Sequence, residues 1–115
     1  MRRGEIFLVN FDPSEGSEVK KERPAIIVSN DGANSAAERN GKGVITVVPV
    51  TSNISHVYPF QVLLPADQSG LDHDSKAQAE QVRAVAVGRL GALLGEVTHP
   101  LLEEIDEALR LHLAL

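Results

Sequence analysis

No cysteine occurs among the 115 residues, which excludes disulfides and thiolate-held metal sites. There is no tryptophan, one tyrosine and three phenylalanines, so any core must be mostly aliphatic. No stretch approaches the ~20 apolar residues of a membrane span. The opening "MRRGEIFLVNFDP" lacks the unbroken apolar run of a secretory leader, because Glu5 and Asn10 interrupt it. A phosphate loop is missing as well. "GANSAAERNGKG" has neither Walker spacing nor a Lys followed by Ser or Thr, which argues against an NTPase. A basic excess is also absent: 11 Lys and Arg face 16 Asp and Glu, a net charge of −5. That sum by itself counts against a nucleic-acid binder. The expectation from these absences is a soluble, cytoplasmic protein with no membrane partner.

What is present is a chain of single-domain length, expected to span 1–115, and 43% hydrophobic, enough to bury a core. Its charges are segregated. Arg2, Arg3, Lys20, Lys21 and Arg23 come early, while Glu103, Glu104, Asp106 and Glu107 come late. An acidic helix on a far face leaves room for a local basic cleft.

Residues 4–11, "GEIFLVNF", read as a first strand. A long polar loop follows and closes at Pro24. "AIIVSN" is continuous and β-branched, as suits a strand buried on both faces. "DGANSAAERNGKG" reads as a second loop. "VITVVPVT" is a third strand, in which Pro49 predicts an edge or a bulge. A further strand is expected at "FQVLLP", and "KAQAEQVRAVAV" is read as strand rather than helix. "VGRLGALLG" suggests a short helical turn. Thr98 can cap a final helix with Pro100 in its first turn. Leu101, Ile105, Leu109 and Leu113 give that helix one apolar stripe, and its early acidic residues suit the helix dipole. Short strands closing on themselves before a terminal helix predict a mainly β, α+β small barrel.

Several residues are candidates for chemistry. Arg23 precedes Pro24 at the mouth of a strand, where its planar fork could meet a phosphate or pair with Glu18 or Glu22 on the surface. Thr51, Ser52 and Asn53 end a strand with two hydroxyls and an amide, groups that orient phosphate oxygens and also make ordinary turns. Gln81 and Arg83 share a strand face and could read a base or a phosphate. His56 and Tyr58 could stack on bases. The run Asp72–His73–Asp74–Ser75 looks like fragments of a triad or metal site. Triad members meet through the fold, however, and one His with two Asp is a weak zinc set; a polar loop explains it better.

Taken in order, "RRGEIFLVNFDPSEGSE", "RPAIIVSND", "VVPVTSN", "HDSKAQAEQVRAV" and "LLEEIDEALRLHLAL" resemble the MazF/PemK family of toxin endoribonucleases from type II toxin–antitoxin operons. The resemblance runs over nearly the whole chain. It implies an SH3-like β-barrel with short helices and a C-terminal helix, assembled as a homodimer. It implies metal- and cofactor-independent cutting of single-stranded RNA, leaving a 2′,3′-cyclic phosphate and a 5′-hydroxyl. It also implies a MazE-like antitoxin whose acidic tail covers the RNA site. The family's catalytic pair falls on Arg23 and Thr51. Glu18 matches the acidic residue of the "GSE" element in the first loop, Ser75 and Gln81 match elements that line the RNA groove in some members, and Lys20 and Lys21 would form an electrostatic lip. With Ser52, Asn53 and Arg83 they make up the expected substrate-binding set. Toxins of the CcdB type share the fold but bind DNA gyrase instead of cutting RNA, and they are the alternative this resemblance leaves.

Overall fold

The computed structural model describes residues 1–18 and 21–115. Seven strands and two helices follow one another as β1 (Glu5–Asn10), β2 (Glu22–Ile27), α1 (Asp31–Asn40), β3 (Val44–Thr51), β4 (Gln61–Leu64), β5 (Ser75–Gln78), β6 (Arg83–Ala86), β7 (Leu90–Glu96) and α2 (His99–Leu113). All the pairings are antiparallel. The sheet runs β4-β5-β3-β2-β1-β7, with β6 also on β3.

The strand β3 explains how so short a chain curls its sheet. One edge pairs with β2. The other pairs first with β6, up to Val47, and then with β5, from Val50. Pro49 falls in the gap between those two partners. The expected edge or bulge is therefore corrected: β3 is central, and its proline sits where the ladder changes hands and no N–H is required. The strands that pack on both faces divide their side chains by the period of two. Ile26, Val48 and Val50 join one core with Ile6, Leu64, Leu101 and Ile105. Ala25, Ile27, Ile45 and Val47 join a second with Val9, Phe11 and Val85. The continuous apolar run at β2 is thereby accounted for.

Several readings of local structure are corrected. Residues 31–40 are helix, not loop. The Asn30 side chain caps it by accepting the Ala33 N–H at 2.8 Å, and Gly41 ends it at φ 65°. Its buried residues are only Asn34 and Ala37, too little apolar signal for periodicity to register. Asn34 is held by the Ser29 carbonyl at 2.9 Å and the Ser29 hydroxyl at 2.5 Å. An Asn30→Ala variant should lose about 1 kcal/mol, read as a lower urea midpoint with an unchanged slope. The strand expected over residues 76–87 is two strands, β5 and β6, separated by a 3-10 turn at Ala79–Gln81, and the helical turn expected over residues 87–95 is confined to a 3-10 turn at Val87–Arg89, after which the chain is strand β7. In α2, Thr98 occupies the cap position without a side-chain cap bond, and the first turn carries no acidic residue, so the dipole argument does not apply there.

The N-terminal arginines tie the two faces together. Arg3 donates from Nε to the Val28 carbonyl at 2.9 Å, and its guanidinium pairs with Asp106 of α2. Its backbone N–H meets Asp31 Oδ1 at 2.7 Å. That bond, with the Asn34 amide, holds the Asp31 carboxyl below its usual range. The link is intact near neutrality and is lost as pH falls through that lowered value.

Candidate active site

Pro24 and Ala25 lock β2 against β1, and Arg23 sits one residue earlier, opposite Val9. It lies inside β2, which begins at Glu22, so it is held by sheet rather than by loop. The chain enters the strand through a constrained bend. Lys21 has φ 65°, an unusual conformation for a residue with a side chain. Its N–H reaches Asp12 Oδ1 at 2.9 Å, and its carbonyl accepts the Phe11 N–H at 3.0 Å. Thr51 ends β3 opposite Lys76 of β5. The Asn53 N–H donates to Thr51 Oγ1 at 3.2 Å. That bond uses one lone pair of the hydroxyl and leaves its hydrogen available to a further acceptor.

Two cavities meet at Arg23 and Thr51. The first, about 410 Å³, is also lined by Lys21, Ser52, Ser75, Asp72, His73 and a wall of Gly70, Leu71 and Leu94. The second, about 280 Å³, is lined by Glu18, Asn53, Gln81, Lys76 and Gln78. A fixed cation and a hydroxyl thus stand between two clefts, as a site that grips a chain on both sides of one reacting phosphate requires.

The structure brings most of the sequence candidates together. Lys21, Ser52 and Ser75 face the first cavity, and Glu18, Asn53 and Gln81 face the second. Ser75 is buried, and its hydroxyl donates to the His73 carbonyl at 3.0 Å. Gln81 Nε2 donates to the Ser17 carbonyl at 3.2 Å, tying the first loop to the sheet. Arg83 lines neither cavity. Its guanidinium lies over the Phe11 ring, 5.5 Å from the centroid, with Nη1 3.9 Å from Glu18 Oε2. It therefore lies beside Glu18 rather than facing the clefts, and its Nη1 makes no hydrogen bond among the described residues. Lys20 lies outside the described residues. The loop at residues 72–75 does flank the site, and among the described residues no three His, Cys, Asp or Glu are grouped to hold a metal ion.

Sequence reasoning missed Lys76 and Gln78. They lie two apart on β5 and share the second cavity. Lys76 is only 8% exposed. A lysine in a weakly alternating segment gives no sign that it will be buried, so only the pairing with Thr51 could have revealed it. Gln78 Oε1 is buried and has no hydrogen-bond partner among the described residues, leaving an acceptor in want of a donor. The late acidic charge stands apart, as expected. Glu103, Glu104 and Glu107 line a third groove with Leu63 and Leu111, which shares no residue with the two clefts.

Known proteins resemble this chain over its whole length. A family model described as "PemK-like, MazF-like toxin of type II toxin-antitoxin system" matches residues 2–113. The chain is 60% identical over its whole length to the endoribonuclease MazF9 of Mycobacterium tuberculosis, covering 98% of that protein. It is 58% identical over 57 residues, half of this chain, to the probable endoribonuclease MazF1 of the same organism. Among solved structures, MazF of Deinococcus radiodurans superposes with a TM-score of 0.80 at 29% identity, over all of this chain and 97% of that one. A mycobacterial endoribonuclease in complex with its cognate antitoxin has the same fold, with a TM-score of 0.77 at 22% identity over all of this chain and 96% of the other.

Proposed function

We propose how this chain cuts RNA from the premise that it belongs to the PemK-like, MazF-like toxins of type II toxin–antitoxin systems; it is an endoribonuclease of that family. The gyrase-binding alternative is not favoured. The finer reading is that one domain spanning 1–115 cleaves single-stranded RNA at short sequences, without a metal or cofactor. The observation that carries it is the shared position of Arg23 and Thr51 between two clefts.

In the reaction the ribose 2′-oxygen attacks the adjacent phosphorus. The bond from phosphorus to the 5′-oxygen breaks, leaving a 2′,3′-cyclic phosphate and a 5′-hydroxyl. Negative charge grows on the phosphoryl oxygens and on the leaving oxygen. The Arg23 guanidinium, always charged, meets that charge where it develops. Thr51, whose oxygen accepts the Asn53 N–H, donates a hydrogen bond to a phosphoryl oxygen and holds the phosphate in line. Glu18 is the only carboxylate lining the second cleft among the described residues, and it takes the 2′-hydroxyl proton; the 5′-oxygen acquires its own from water. Lys76, Lys21 and Lys20 supply the salt-dependent attraction to the flanking backbone.

The same basic clefts suit the acidic tail of a MazE-like antitoxin, which would compete directly with RNA. Two copies of the chain are expected to associate through exposed apolar residues such as Leu93 and Leu94 of β7, and the protein is expected to act in the cytoplasm. The test is purified protein with a long mixed-sequence RNA in EDTA, followed by end-group analysis. Discrete cuts with 5′-hydroxyl ends are expected; cutting only on adding a divalent ion, or leaving 5′-phosphates, overturns the mechanism. Thr51→Ala should lower the single-turnover rate about 10²-fold, and Thr51→Ser should recover most of it. Equal loss in both variants would show that the hydroxyl is not the operative group.

A further inference from the structure

Three rings alternate along the loop that leaves Thr51. The centroids of His56 and Tyr58 are 4.1 Å apart at a tilt of 48°. Those of Tyr58 and Phe60 are 5.4 Å apart, within 3° of parallel. In a chain with only three phenylalanines and one tyrosine, this is a large share of its rings to place outside the core. Phe60 is half-buried, Tyr58 is 46% exposed and His56 is exposed at the outer end.

The stack is anchored to the reaction centre. Lys76 Nζ donates to the His56 carbonyl at 2.5 Å and lies 5.9 Å from the Tyr58 ring centre. The same side chain lines the second cleft beside Arg23 and Thr51. Nearer the strand, Asn53 Oδ1 accepts the Ser55 N–H at 3.3 Å and its hydroxyl at 2.9 Å. At the far end the Tyr58 N–H donates to Gln61 Oε1 at 3.1 Å, and the buried Gln61 donates to Glu80 at 2.6 Å. Both ends of the loop are thereby fixed to the sheet.

We infer that the His56–Tyr58–Phe60 stack is a platform for a nucleobase flanking the scissile phosphate, with Lys76 meeting the backbone charge beside it. The inference rests on the proposed RNA cutting at Arg23 and Thr51. Parallel rings with an ammonium alongside match the alternation of flat base and charged phosphate in a single strand. Every base has a π-face, so the platform contributes affinity and register rather than base identity.

Tyr58 is the only tyrosine and there is no tryptophan, so the intrinsic emission of the protein reports this platform alone. The experiment titrates the full protein with a short RNA spanning a mapped cut site, its 2′-hydroxyl at that site replaced by hydrogen so that it binds uncut. Emission should fall on binding. An abasic nucleotide at one flanking position should restore emission and weaken binding roughly 5- to 150-fold, the range for one stacked base. His56→Ala and Tyr58→Ala should raise KM by a similar factor with kcat little changed, and Tyr58→Phe should restore the wild-type KM. RNA that binds without changing emission overturns the proposal, as do alanine variants that cut with wild-type KM at the same sites. Quenching by an acidic antitoxin peptide but not by RNA overturns it too, and would assign the rings to that partner. A wild-type protein that cuts no RNA would instead overturn the reading beneath it.

Discussion

Arg23→Ala is expected to lower the single-turnover cleavage rate about 10³-fold, the upper end for removing one preorganised charge donor from a transition state. The loss should appear in the chemical step. KM should change less, because Lys21, Lys76 and the walls of both clefts still hold the strand. Arg23→Lys should recover little, since an ammonium cannot place two parallel donors on a phosphate as a guanidinium does. Arg23 is half-buried and contributes to neither aliphatic core, so the variant should still fold. The checks are a rapid-quench time course at saturating protein and a thermal melt of the same sample. A folded Arg23→Ala variant cutting within tenfold of wild type would remove the guanidinium from the mechanism. Electrostatic stabilisation would then have to come from Lys76, the other cation of the second cleft among the described residues.

Which parts of this molecule could be read from its sequence follows from how each part is stabilised. The β2 and β3 strands are buried on both faces, so their apolar runs were legible, and the motifs ending on Arg23 and Thr51 came with them. The α2 stripe was legible over its first turns, where Leu101 and Ile105 are buried and Leu109 packs against the core, but Leu113, expected on the same stripe, is exposed. Helix α1 was not, because a cap, a buried asparagine and a left-handed glycine hold it in place of an apolar stripe. Strand β7 was misread because its glycines weaken the alternation and Leu93 and Leu94 stay exposed. At the site, Lys76 and Gln78 were hidden because their role comes from a pairing between β3 and β5, two segments more than 20 residues apart in sequence. Arg83 was legible as a charged strand residue, but its place over Phe11 depends on β1 and β6 meeting in space.

The misread strand β7 carries the largest stability effect expected here. Gly95→Ala should cost about 3 kcal/mol, the upper part of the range for overpacking, and lower the melting temperature by roughly 10–20 °C. A Cβ on Gly95 would stand 2.2 Å from the Ser69 carbonyl oxygen and 3.2 Å from its carbon. Both are backbone atoms, so no side chain can swing aside. Nor can the segment readily retreat. Ser69 is buried, its hydroxyl donates to the Pro65 carbonyl at 3.0 Å, and its own carbonyl accepts the Glu96 N–H at 3.1 Å. On its other edge Gly95 is in register with Ile6 of β1, whose side chain is fully buried. The strain must therefore separate β7 from residues 69–70. Gly70, Leu71 and Leu94 are the wall of the first cleft, so the folded fraction of this variant should also cut RNA more slowly, with Arg23 and Thr51 untouched. Gly88→Ala is the matched control, since nothing lies within 4 Å of its Cβ, and it should melt as wild type. If Gly95→Ala melts as wild type too, β7 is free to slide against residues 69–70, and that wall of the cleft is adjustable rather than fixed. If it melts low, the glycine that obscured the strand in the sequence is what lets the strand seat closely enough to shape the site.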